Sequence, residues 1–532
     1  MTWRVVIADR VAASGVELLA RTPGIETVNV AGQGKETLEQ ALASAHALVV
    51  RSETRVTAEL LSRAPHLRLV ARAGAGVDTI DVPAATRLGV AVMNTPGANT
   101  VSAAEHALGL LLALVRHIPW AAEAMRRGEW DRKRFEGREL RGKTIGIVGL
   151  GRIGGHVAQL AKAFGMTVIA HDPFLSAERA AELQVKVLPL EQLLAGADVV
   201  SLHVALTEAT HHLINAERLR LMKPTAVLVN TARGELVDEA ALAEAVRDKR
   251  IAGAALDVFA VEPLAADSPL RQLDRVILTP HLAASTAEAQ ERVAQEICIA
   301  VRDALIEGDY SSAINGPGVS GDVIRRLAPL LDLSRRLGRL AAALAEGPVR
   351  SVEVAYGGKD EPAPRPVTVA AVEGLLSGAH GGTPVSLVNA LLVAEEQGIE
   401  VARKVGPAES GFETTVGVRV DTLAGRTQVM GALVGNRAGR VIRIDEFDVD
   451  VAPEGWMLVI RNRNVPGVMG RAGATLGAAG INIRSYHQAG PSAGGQEALA
   501  AITLDQSVPP DVLAALAAHS DTLRVRLANL GT

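Results

Sequence analysis

The chain is almost free of cysteine, and this excludes whole classes of site. Cys298 is the one cysteine among 532 residues, so no intramolecular disulfide and no cysteine-built metal site can form. It lies in the apolar, helix-like pattern EICIAVRDAL, which predicts a small buried thiol. We expect no metal in this protein.

The chain also lacks an excess of one charge and a long apolar run. Its 55 basic and 59 acidic residues give a net charge of −4, which argues against a nucleic-acid binder that relies on whole-chain electrostatics. The N-terminus shows no signal-peptide pattern, and the apolar run at 107–115 is too short to cross a bilayer. We therefore expect a cytoplasmic enzyme without a nucleic-acid or membrane partner.

What the chain does have is a regular alternation of short apolar runs and helical patterns. At 532 residues it is too long for one core, so three or four domains are expected. Residues 3–98 alternate strands (WRVVIAD, ALVVRS, LRLVARAG, VAVMNTP) with helices. A long helix is predicted from Ser102 to Ile118, capped by Asn99 or Thr100. The alternation resumes at TIGIVGLG and continues to His281, as in a doubly wound α/β fold.

The remainder of the chain follows a different pattern. NGPGVSGD at 315–322 is the best linker candidate, and residues 323–452 mix helices with β-like segments. A final module begins near Trp456 in the order βαββα, with RVRLANL as a possible last strand. This order is close to the ferredoxin-like pattern.

A glycine-rich turn predicts a dinucleotide site. GLGRIG at 149–154 has the spacing G-x-G-x-x-G, follows the strand 144–148 and opens a helix, and the next strand delivers Asp172. This context supplies a tight turn, a helix N-terminus for the pyrophosphate and an acid for the ribose. No basic residue follows Asp172 directly, so NAD is preferred over NADP. The predicted cofactor residues of this turn are Gly149, Gly151, Arg152, Ile153, Gly154 and Asp172.

Three apolar runs in the middle of the chain end in different polar residues. AVLVN leads to Arg233, AALDVF leads to Glu262, and VILT leads through Pro280 to His281. Ligands of parallel sheets bind beyond the carboxyl ends of the strands, so these side chains should converge. An imidazole suits proton exchange, a glutamate orients it, and a guanidinium matches a carboxylate. The set predicts hydride transfer with a hydroxy acid. His106 is interpreted as a helix-packing residue.

These segments resemble the D-2-hydroxyacid dehydrogenases over about residues 1–315. GLGRIG, NTARGELVDEAAL, ALDVFAVEP and TPHLAAST resemble that family's signatures, and VVRSET, VARAGAGVDTID and NTPGANTVSAAEHAL resemble its substrate-side motifs. The resemblance implies that Arg233 binds the substrate carboxylate, His281 is the acid/base and Glu262 is its partner. It further implies cofactor contacts at Ala75, Val204, Thr231, Ala232, Asp257 and Ala284, and substrate contacts at Arg51, Ser52, Gly74, Asn99, Trp130 and Arg132.

The C-terminal extension is similar to that of the long-form D-3-phosphoglycerate dehydrogenases. RNRNVPGVMGRAGATLGAAGINI resembles the start of an ACT domain, and Asn464 and Asn482 match its serine-binding positions. The resemblance implies two Rossmann-like α/β domains, followed by an α+β intervening domain and a ferredoxin-like ACT domain. The predicted bounds are 1–98 with 284–316 for substrate, 99–283 for NAD, 317–453 for the intervening domain and 454–532 for ACT.

The implied reaction is the NAD-dependent oxidation of D-3-phosphoglycerate to 3-phosphohydroxypyruvate, the first committed step of L-serine synthesis. L-serine is the expected effector and a homotetramer the expected assembly. The alternatives are a glyoxylate/hydroxypyruvate reductase, or another dehydrogenase of this kind, and an NAD-sensing corepressor that acts by binding partners. The C-terminal half could also be an oligomerisation piece without a regulatory role.

Overall fold

The computed structural model describes residues 2–316, 318–319, 321–377, 385–435, 438–490 and 495–531. The linker candidate 315–322 therefore falls partly outside the described residues, at Pro317 and Ser320. The chain forms two compact units. The first comprises Met1–Arg10, Val16–Asn94 and Ile297–Thr532, and the second comprises Val11–Gly15 and Thr95–Glu296.

The first unit begins with a five-stranded parallel sheet in the order β2-β1-β3-β4-β5. Its elements are β1 Trp3–Ile7, α1 Ala13–Ala20, β2 Ile25–Asn29, α2 Lys35–Leu42, β3 Ala47–Val50, α3 Ala58–Ser62, β4 Leu69–Arg72, α4 Val82–Arg87 and β5 Ala91–Asn94. The sequence patterns name four of these strands and omit β2. That strand lies at the sheet edge and contains three polar residues, so its apolar signal is weak.

The second unit is a seven-stranded parallel sheet in the order β12-β11-β10-β9-β6-β7-β8. Its elements are α5 Thr100–Val115, α6 Ile118–Arg126, β6 Thr144–Val148, α7 Arg152–Ala163, β7 Thr167–His171, α8 Ala177–Glu182, β8 Lys186–Val187, α9 Leu190–Gly196, β9 Val199–Leu202, α10 Ala216–Leu221, β10 Val227–Asn230, α11 Glu239–Arg247, β11 Gly253–Leu256 and β12 Val276–Leu278. Helix α12 Ala287–Glu307 follows, and its residues from Ile297 onward belong to the first unit. The chain order reverses between β6 and β9, which is where ligands of such sheets bind. Strands β10 and β11 are buried at every residue, which explains their continuous apolar runs.

The predicted single helix from Ser102 to Ile118 is wrong at its end. Helix α5 stops at Val115, His117 has a φ of +56°, and α6 begins at Ile118. Pro119 explains the break, because proline lacks an N–H donor and disfavours helical backbone before it. Of the two predicted cap residues, Asn99 occupies the N-cap position but its side chain makes no capping bond, and Thr100 lies inside the helix.

None of the described helices is alone long and apolar enough to cross a membrane. Helices α5 and α6 would pass that test only as a pair, on length and composition, and they are bent by 62°. On α12, Cys298 is fully buried, and burial raises the pKa of its thiol to about 12. The prediction of a buried thiol is confirmed.

A six-stranded mixed sheet follows within the first unit, in the order β14-β13-β15-β16-β17-β18. Its elements are α13 Gly321–Leu344, β13 Val349–Gly357, α14 Pro364–Leu376, α15 Ala390–Glu396, β14 Glu400–Gly406, β15 Thr415–Thr422, β16 Arg426–Val434, β17 Ala438–Ile444 and β18 Phe447–Val451. Helices α13 and α14 cross in backbone contact. A Cβ on Gly338 would lie 2.0 Å from the Ala371 carbonyl oxygen, and one on Gly374 would lie 1.9 Å from the Arg335 carbonyl oxygen.

The chain ends in a four-stranded antiparallel sheet in the order β20-β21-β19-β22. Its elements are β19 Trp456–Arg463, α16 Val468–Ala478, β20 Ile483–Ala489, β21 Glu497–Leu504, α17 Pro510–Ala517 and β22 Thr522–Asn529. This is the predicted ferredoxin-like order with its last strand, and the predicted α/β fold class is confirmed. Leu458 and Ile460 face α16 and α17, while Met457 and Val459 join the core around α13.

The close contact of α13 and α14 at Gly338 and Gly374 leads to a testable prediction about the stability of this region. Gly338→Ala forces α13 and α14 apart, and overpacking of this kind costs about 1–3 kcal/mol. We expect a lower midpoint of thermal unfolding, measured by calorimetry. Gly473→Ala on α16 is the matched control, because a Cβ there meets nothing within 4 Å. Equal midpoints for the two variants would contradict the packing argument.

Candidate active site and cofactor-binding site

The glycine turn after β6 is held by close backbone contacts. Gly149 has a φ of +90°, and a Cβ there would lie 2.7 Å from the His203 carbonyl oxygen and from Val204 Cγ1. A Cβ on Gly154 would lie 2.0 Å from the Gly149 carbonyl oxygen, so α7 packs directly on the turn. At Gly151 a Cβ would meet nothing within 4 Å. The turn is therefore closed on its protein side and open at Gly151, as a pyrophosphate cradle requires.

Asp172 follows β7 and is bonded to the same turn. Its Oδ2 accepts a hydrogen bond from the Leu150 amide at 2.8 Å, and its Oδ1 accepts one from the Phe174 amide at 3.0 Å. Each carboxylate oxygen has a further lone pair to offer a ribose hydroxyl. The N-cap residue of α7, Gly151, has no side chain that could cap the helix, so its first amides are available to an anion. Arg152 is exposed and Ile153 half-buried beside them.

The end of β10 carries Arg233 on a locally bonded turn. Asn230 Nδ2 donates to the Arg233 carbonyl oxygen at 2.7 Å, and Asn230 Oδ1 accepts from the Ala232 amide at 3.1 Å. The Arg233 guanidinium donates to the Ala232 carbonyl oxygen at 2.6 Å. Thr231 Oγ1 is buried without a hydrogen-bond partner among the described residues. This orphaned hydroxyl fits a polar ligand at the strand end.

Gly234 brings the ends of β10 and β11 into contact. A Cβ on Gly234 would lie 1.9 Å from the Phe259 carbonyl carbon and 2.3 Å from the Ala260 amide nitrogen. The segment held there leads directly to Glu262, whose Oε1 accepts a hydrogen bond from the Phe259 amide at 3.0 Å. Only glycine allows this approach, so Arg233 and Glu262 are carried by two turns that touch.

Glu262 and His281 form a hydrogen-bonded pair. His281 Nδ1 lies 2.8 Å from Glu262 Oε2, and both side chains are partly exposed. Burial raises the pKa of Glu262, but the hydrogen bonds from His281 and the Phe259 amide outweigh it, so that pKa lies below its usual value. The ionised carboxylate accepts the Nδ1 proton. The neutral ring then carries its lone pair on Nε2, the nitrogen that a proton-donating substrate would meet.

Of the other predicted cofactor residues in this unit, Asp257 is fully buried at the end of β11. It accepts hydrogen bonds from the Leu282 and Ala283 amides at 2.8 and 2.9 Å. Ala284 follows directly, and its carbonyl oxygen accepts a bond from Gln290. His203, which follows β9, is a different kind of histidine, because burial lowers its pKa to about 4. Its ring is neutral at pH 7 and bonded to Ser201 at 2.8 Å.

Three family models match successive parts of the chain. Residues 108–283 match the NAD-binding domain of the D-isomer specific 2-hydroxyacid dehydrogenases, 326–445 match the D-3-phosphoglycerate dehydrogenase intervening domain, and 456–521 match the ACT domain. The D-3-phosphoglycerate dehydrogenase of Mycobacterium tuberculosis is 43% identical over 531 residues, covering 99% of each chain. That of Synechocystis sp. is 40% identical over 512 residues, covering 96% of this chain and 92% of the relative. The chain belongs to the D-3-phosphoglycerate dehydrogenase family.

Solved structures resemble a little more than half of this phosphoglycerate dehydrogenase family member. The TT0316 protein of Thermus thermophilus is 38% identical with a TM-score of 0.54, covering 57% of this chain and 97% of that one. A D-lactate dehydrogenase of Aquifex aeolicus, solved with NAD and lactic acid, is 31% identical with a TM-score of 0.52, covering 58% and 97%. The predicted cofactor, NAD, is confirmed for this family member.

In the first unit of this dehydrogenase, the Arg51 loop is organised by an acid that the sequence patterns did not single out. Asp9, 2% exposed, accepts hydrogen bonds from the Arg51 amide at 2.5 Å and from Thr54 Oγ1 at 2.5 Å. Asp9 lies two residues after the last residue of β1, and an acid so close to the end of a buried strand is the sequence feature that could have identified it. Ser52 in this loop is exposed.

Gly74 and Ala75 lie after β4 in the same unit. Gly74 has a φ of +148°, and a Cβ there would collide with the Arg72 guanidinium, which covers it. The Ala75 carbonyl oxygen accepts a hydrogen bond from Asn94 Nδ2 at 2.6 Å. The backbone conformation favours glycine at position 74, whereas the Arg72 guanidinium is the end of a flexible side chain and could move aside.

The remaining predicted substrate residues belong to the second unit. Asn99 Oδ1 is buried without a hydrogen-bond partner among the described residues. Trp130 is 77% exposed, and Arg132 is exposed beside it. Their prediction as substrate contacts stays a prediction.

In the ACT domain, Asn464 and Asn482 are both exposed. Neither side chain has a hydrogen-bond partner among the described residues. Asn462, which the sequence patterns did not single out, is fully buried and its Oδ1 has no partner there either. The buried Asn462 side-chain oxygen is therefore a further polar group near Asn464 that could accept a hydrogen bond from a ligand.

The Glu262–His281 pair yields a prediction on pH dependence. Glu262→Gln keeps the side-chain shape and removes the charge that favours the protonated imidazole. We expect kcat for oxidation to fall about tenfold or more. Because the pKa of Glu262 lies below its usual value, this carboxylate is ionised throughout the neutral and alkaline range, and the loss of kcat should extend across that whole range. Steady-state kinetics across the neutral and alkaline range measures both effects. Glu244→Gln on α11 is the exposed control, and identical profiles for the two variants would contradict the pairing.

Proposed function

We propose that this protein oxidises D-3-phosphoglycerate to 3-phosphohydroxypyruvate with NAD, as the first committed step of L-serine synthesis. The observation that carries the proposal is the 2.8 Å bond between His281 Nδ1 and Glu262 Oε2, which leaves Nε2 as the proton acceptor. The family membership over nearly the whole chain supports the choice of substrate. His203 is a weaker base than an ordinary histidine, because burial lowers its pKa to about 4 and its ring would hold a transferred proton poorly.

Each residue at the strand ends has one role in the proposed oxidation. Bound NAD supplies the acceptor for the hydride that leaves C2 of the substrate. His281 Nε2 takes the proton of the C2 hydroxyl, so the alcohol loses two electrons and two hydrogens in all. Glu262 stabilises the imidazolium that forms. Arg233 holds the substrate carboxylate through its planar fork.

For the cofactor, we propose the residues that the family resemblance implies. The open backbone at Gly151, the carboxylate of Asp172 and the orphaned hydroxyl of Thr231 support this assignment. The full set is Ala75, Gly149, Gly151, Arg152, Ile153, Gly154, Asp172, Val204, Thr231, Ala232, Asp257 and Ala284.

For the substrate phosphate and hydroxyl we propose Arg51, Ser52, Gly74, Asn99, Trp130 and Arg132. Arg51 and Arg132 bring the positive charge that a phosphorylated acid needs beyond Arg233. The Arg51 loop is ordered by buried Asp9, which supports a built anion site rather than a free surface loop.

The similarity to a glyoxylate reductase supports the reductase alternative, but less strongly than the similarity to phosphoglycerate dehydrogenases supports the proposed function. The structure from Paecilomyes thermophila is 31% identical and covers 58% of this chain, whereas the phosphoglycerate dehydrogenase relatives cover up to 99%. The reductase therefore has no counterpart for the part of this chain beyond that 58%. We therefore keep the reductase and the corepressor as outcomes of the test below.

A substrate panel tests the assignment. We expect kcat/KM with NAD to be highest for D-3-phosphoglycerate among glycerate, lactate and 2-hydroxyglutarate. Arg51→Gln should lower that value about tenfold to a hundredfold for the phosphorylated acid and little for lactate, because a charged hydrogen bond contributes about 1.5–3 kcal/mol. Arg21→Gln, in the exposed turn after α1, is the control. Preference for glycerate or lactate would point to the reductase, and absence of turnover to the corepressor.

We further propose that L-serine binds the ACT domain at Asn464 and Asn482 and inhibits a cytoplasmic homotetramer. The match to the ACT domain over residues 456–521 and the buried Asn462 Oδ1, which has no hydrogen-bond partner among the described residues, support ligand binding there. Exposed apolar side chains on and after α6 support self-association, with Trp130 at 77%, Ile118 at 54% and Met125 at 53%.

Serine titration of activity tests the regulatory proposal. Asn482→Ala should raise the half-inhibiting serine concentration about tenfold or more, because a site built for the ligand's polar groups loses one partner. Asp511→Asn on α17 should leave it unchanged. Light scattering with and without serine gives the assembly in the same samples. An enzyme that serine does not inhibit would leave the C-terminal half as an oligomerisation piece.

A further inference from the structure

The loop that carries His281 is wrapped around one buried acid. The Asp257 carbonyl oxygen accepts a hydrogen bond from the His281 amide at 2.8 Å. Its Oδ1 accepts one from the Leu282 amide at 2.8 Å, and its Oδ2 accepts one from the Ala283 amide at 2.9 Å. Three successive amides thus point at a single residue. These bonds hold His281 at a φ of +55°, a left-handed conformation that residues other than glycine rarely adopt.

Helix α5 holds this arrangement from the other side. His106 Nε2 lies 3.1 Å from Asp257 Oδ1 and 3.3 Å from Thr279 Oγ1. One turn earlier on the helix, Ser102 Oγ donates to the Ala283 carbonyl oxygen at 2.7 Å. The helix therefore contacts the acid and both ends of the loop. The interpretation of His106 as a helix-packing residue is wrong, since its ring is bonded to polar groups beside the reactive histidine.

The contact between His106 and Asp257 matters because Asp257 is a buried charge that depends on its hydrogen-bond donors. The carboxylate is fully buried, and burial raises its pKa. The hydrogen bonds from His106, Thr279 and the Leu282 amide outweigh that effect, so the pKa of Asp257 lies below its usual value. A buried charge depends on its donors, because water cannot replace them. The ionised acid also requires the His106 proton to sit on Nε2.

We infer that His106 is a positioning residue for the reaction, acting through Asp257 on the loop that presents His281. The inference rests on the proposed acid/base role of His281. Without the His106 donor, Asp257 Oδ1 keeps the Thr279 and Leu282 donors but loses its hydrogen bond to α5. The carboxylate and the Leu282 and Ala283 amides bonded to it can then shift relative to the helix, and the His281 ring would no longer be held at one angle to Glu262. A misplaced catalytic group slows chemistry more than it weakens binding.

Two substitutions separate positioning from packing. His106→Gln retains an N–H donor near the position of Nε2, whereas His106→Leu keeps a similar volume without a donor. We expect kcat for His106→Leu to fall about tenfold, with KM for NAD and for 3-phosphoglycerate changing less than about threefold. His106→Gln should recover kcat to within about threefold of the parent enzyme. The C2-deuterium isotope effect should rise in the Leu variant as hydride transfer becomes rate-limiting.

A double-variant cycle tests whether His106 acts through His281. In a His281→Ala background, His106→Leu should cost less than about twofold further, because the group being positioned is gone. Fully additive losses would overturn the inference. His211→Leu, an exposed histidine of the same unit, is the control expected to leave kcat unchanged. His106→Phe provides a second donor-free variant should the Leu variant not fold.

The outcomes distinguish the inference from the function on which it rests. If His281→Ala retains the parent kcat, the acid/base assignment fails whatever His106 does. If His281→Ala lowers kcat and folded His106→Leu and His106→Phe do not, only the positioning role fails. A loss of thermal stability in the His106 variants with unchanged kcat would likewise mark His106 as purely structural.

Discussion

The backbone contact between Gly234 and Phe259–Ala260 is the constraint on which the catalytic arrangement depends. Strands β10, β11 and β12 are neighbours in a parallel sheet, so their carboxyl ends leave on one side. Adjacency alone does not place side chains, because the turns that follow can diverge. The turns after β10 and β11 do not diverge, because Gly234 packs so closely on the second turn that a Cβ there would lie 1.9 Å from the Phe259 carbonyl carbon. The segments bearing Arg233 and Glu262 therefore leave the sheet together, and the Glu262–His281 bond then ties in the third.

Close backbone contacts at glycine recur elsewhere in the chain, and they are consistent with its composition. Aromatic residues make up 2% of the sequence, and glycine contributes 51 residues. With few large side chains to fill gaps, elements approach until their backbones meet. Gly338 and Gly374 do this between α13 and α14, and Gly154 does it between α7 and the turn after β6. Such contacts are sensitive to one added methyl group, because a backbone atom cannot move aside as a side chain can.

Much of the site could be predicted from the sequence because its elements are locally encoded. Buried parallel strands are continuous apolar runs, and the glycine turn and Asp172 follow such runs at a regular spacing. The elements that were missed depend on long-range contacts. The apolar pattern of α5 continues past Val115, and only Pro119 marks the break. Asp9 and His106 were missed because their partners lie 42 and 151 residues away along the chain, at Arg51 and Asp257.

The two acids beside His281 differ in their surroundings, and this difference separates their roles. Asp257 is fully buried and accepts bonds from backbone amides, Thr279 and His106, so it remains a fixed charge around which a loop is built. Glu262 is partly exposed and shares its charge with one ring nitrogen, so it can respond when that ring gains a proton. An acid that responded to protonation could not also hold the loop still. Because Asp257 holds the loop and Glu262 responds to the proton, the His281 ring can change its charge while the His281 backbone keeps one conformation.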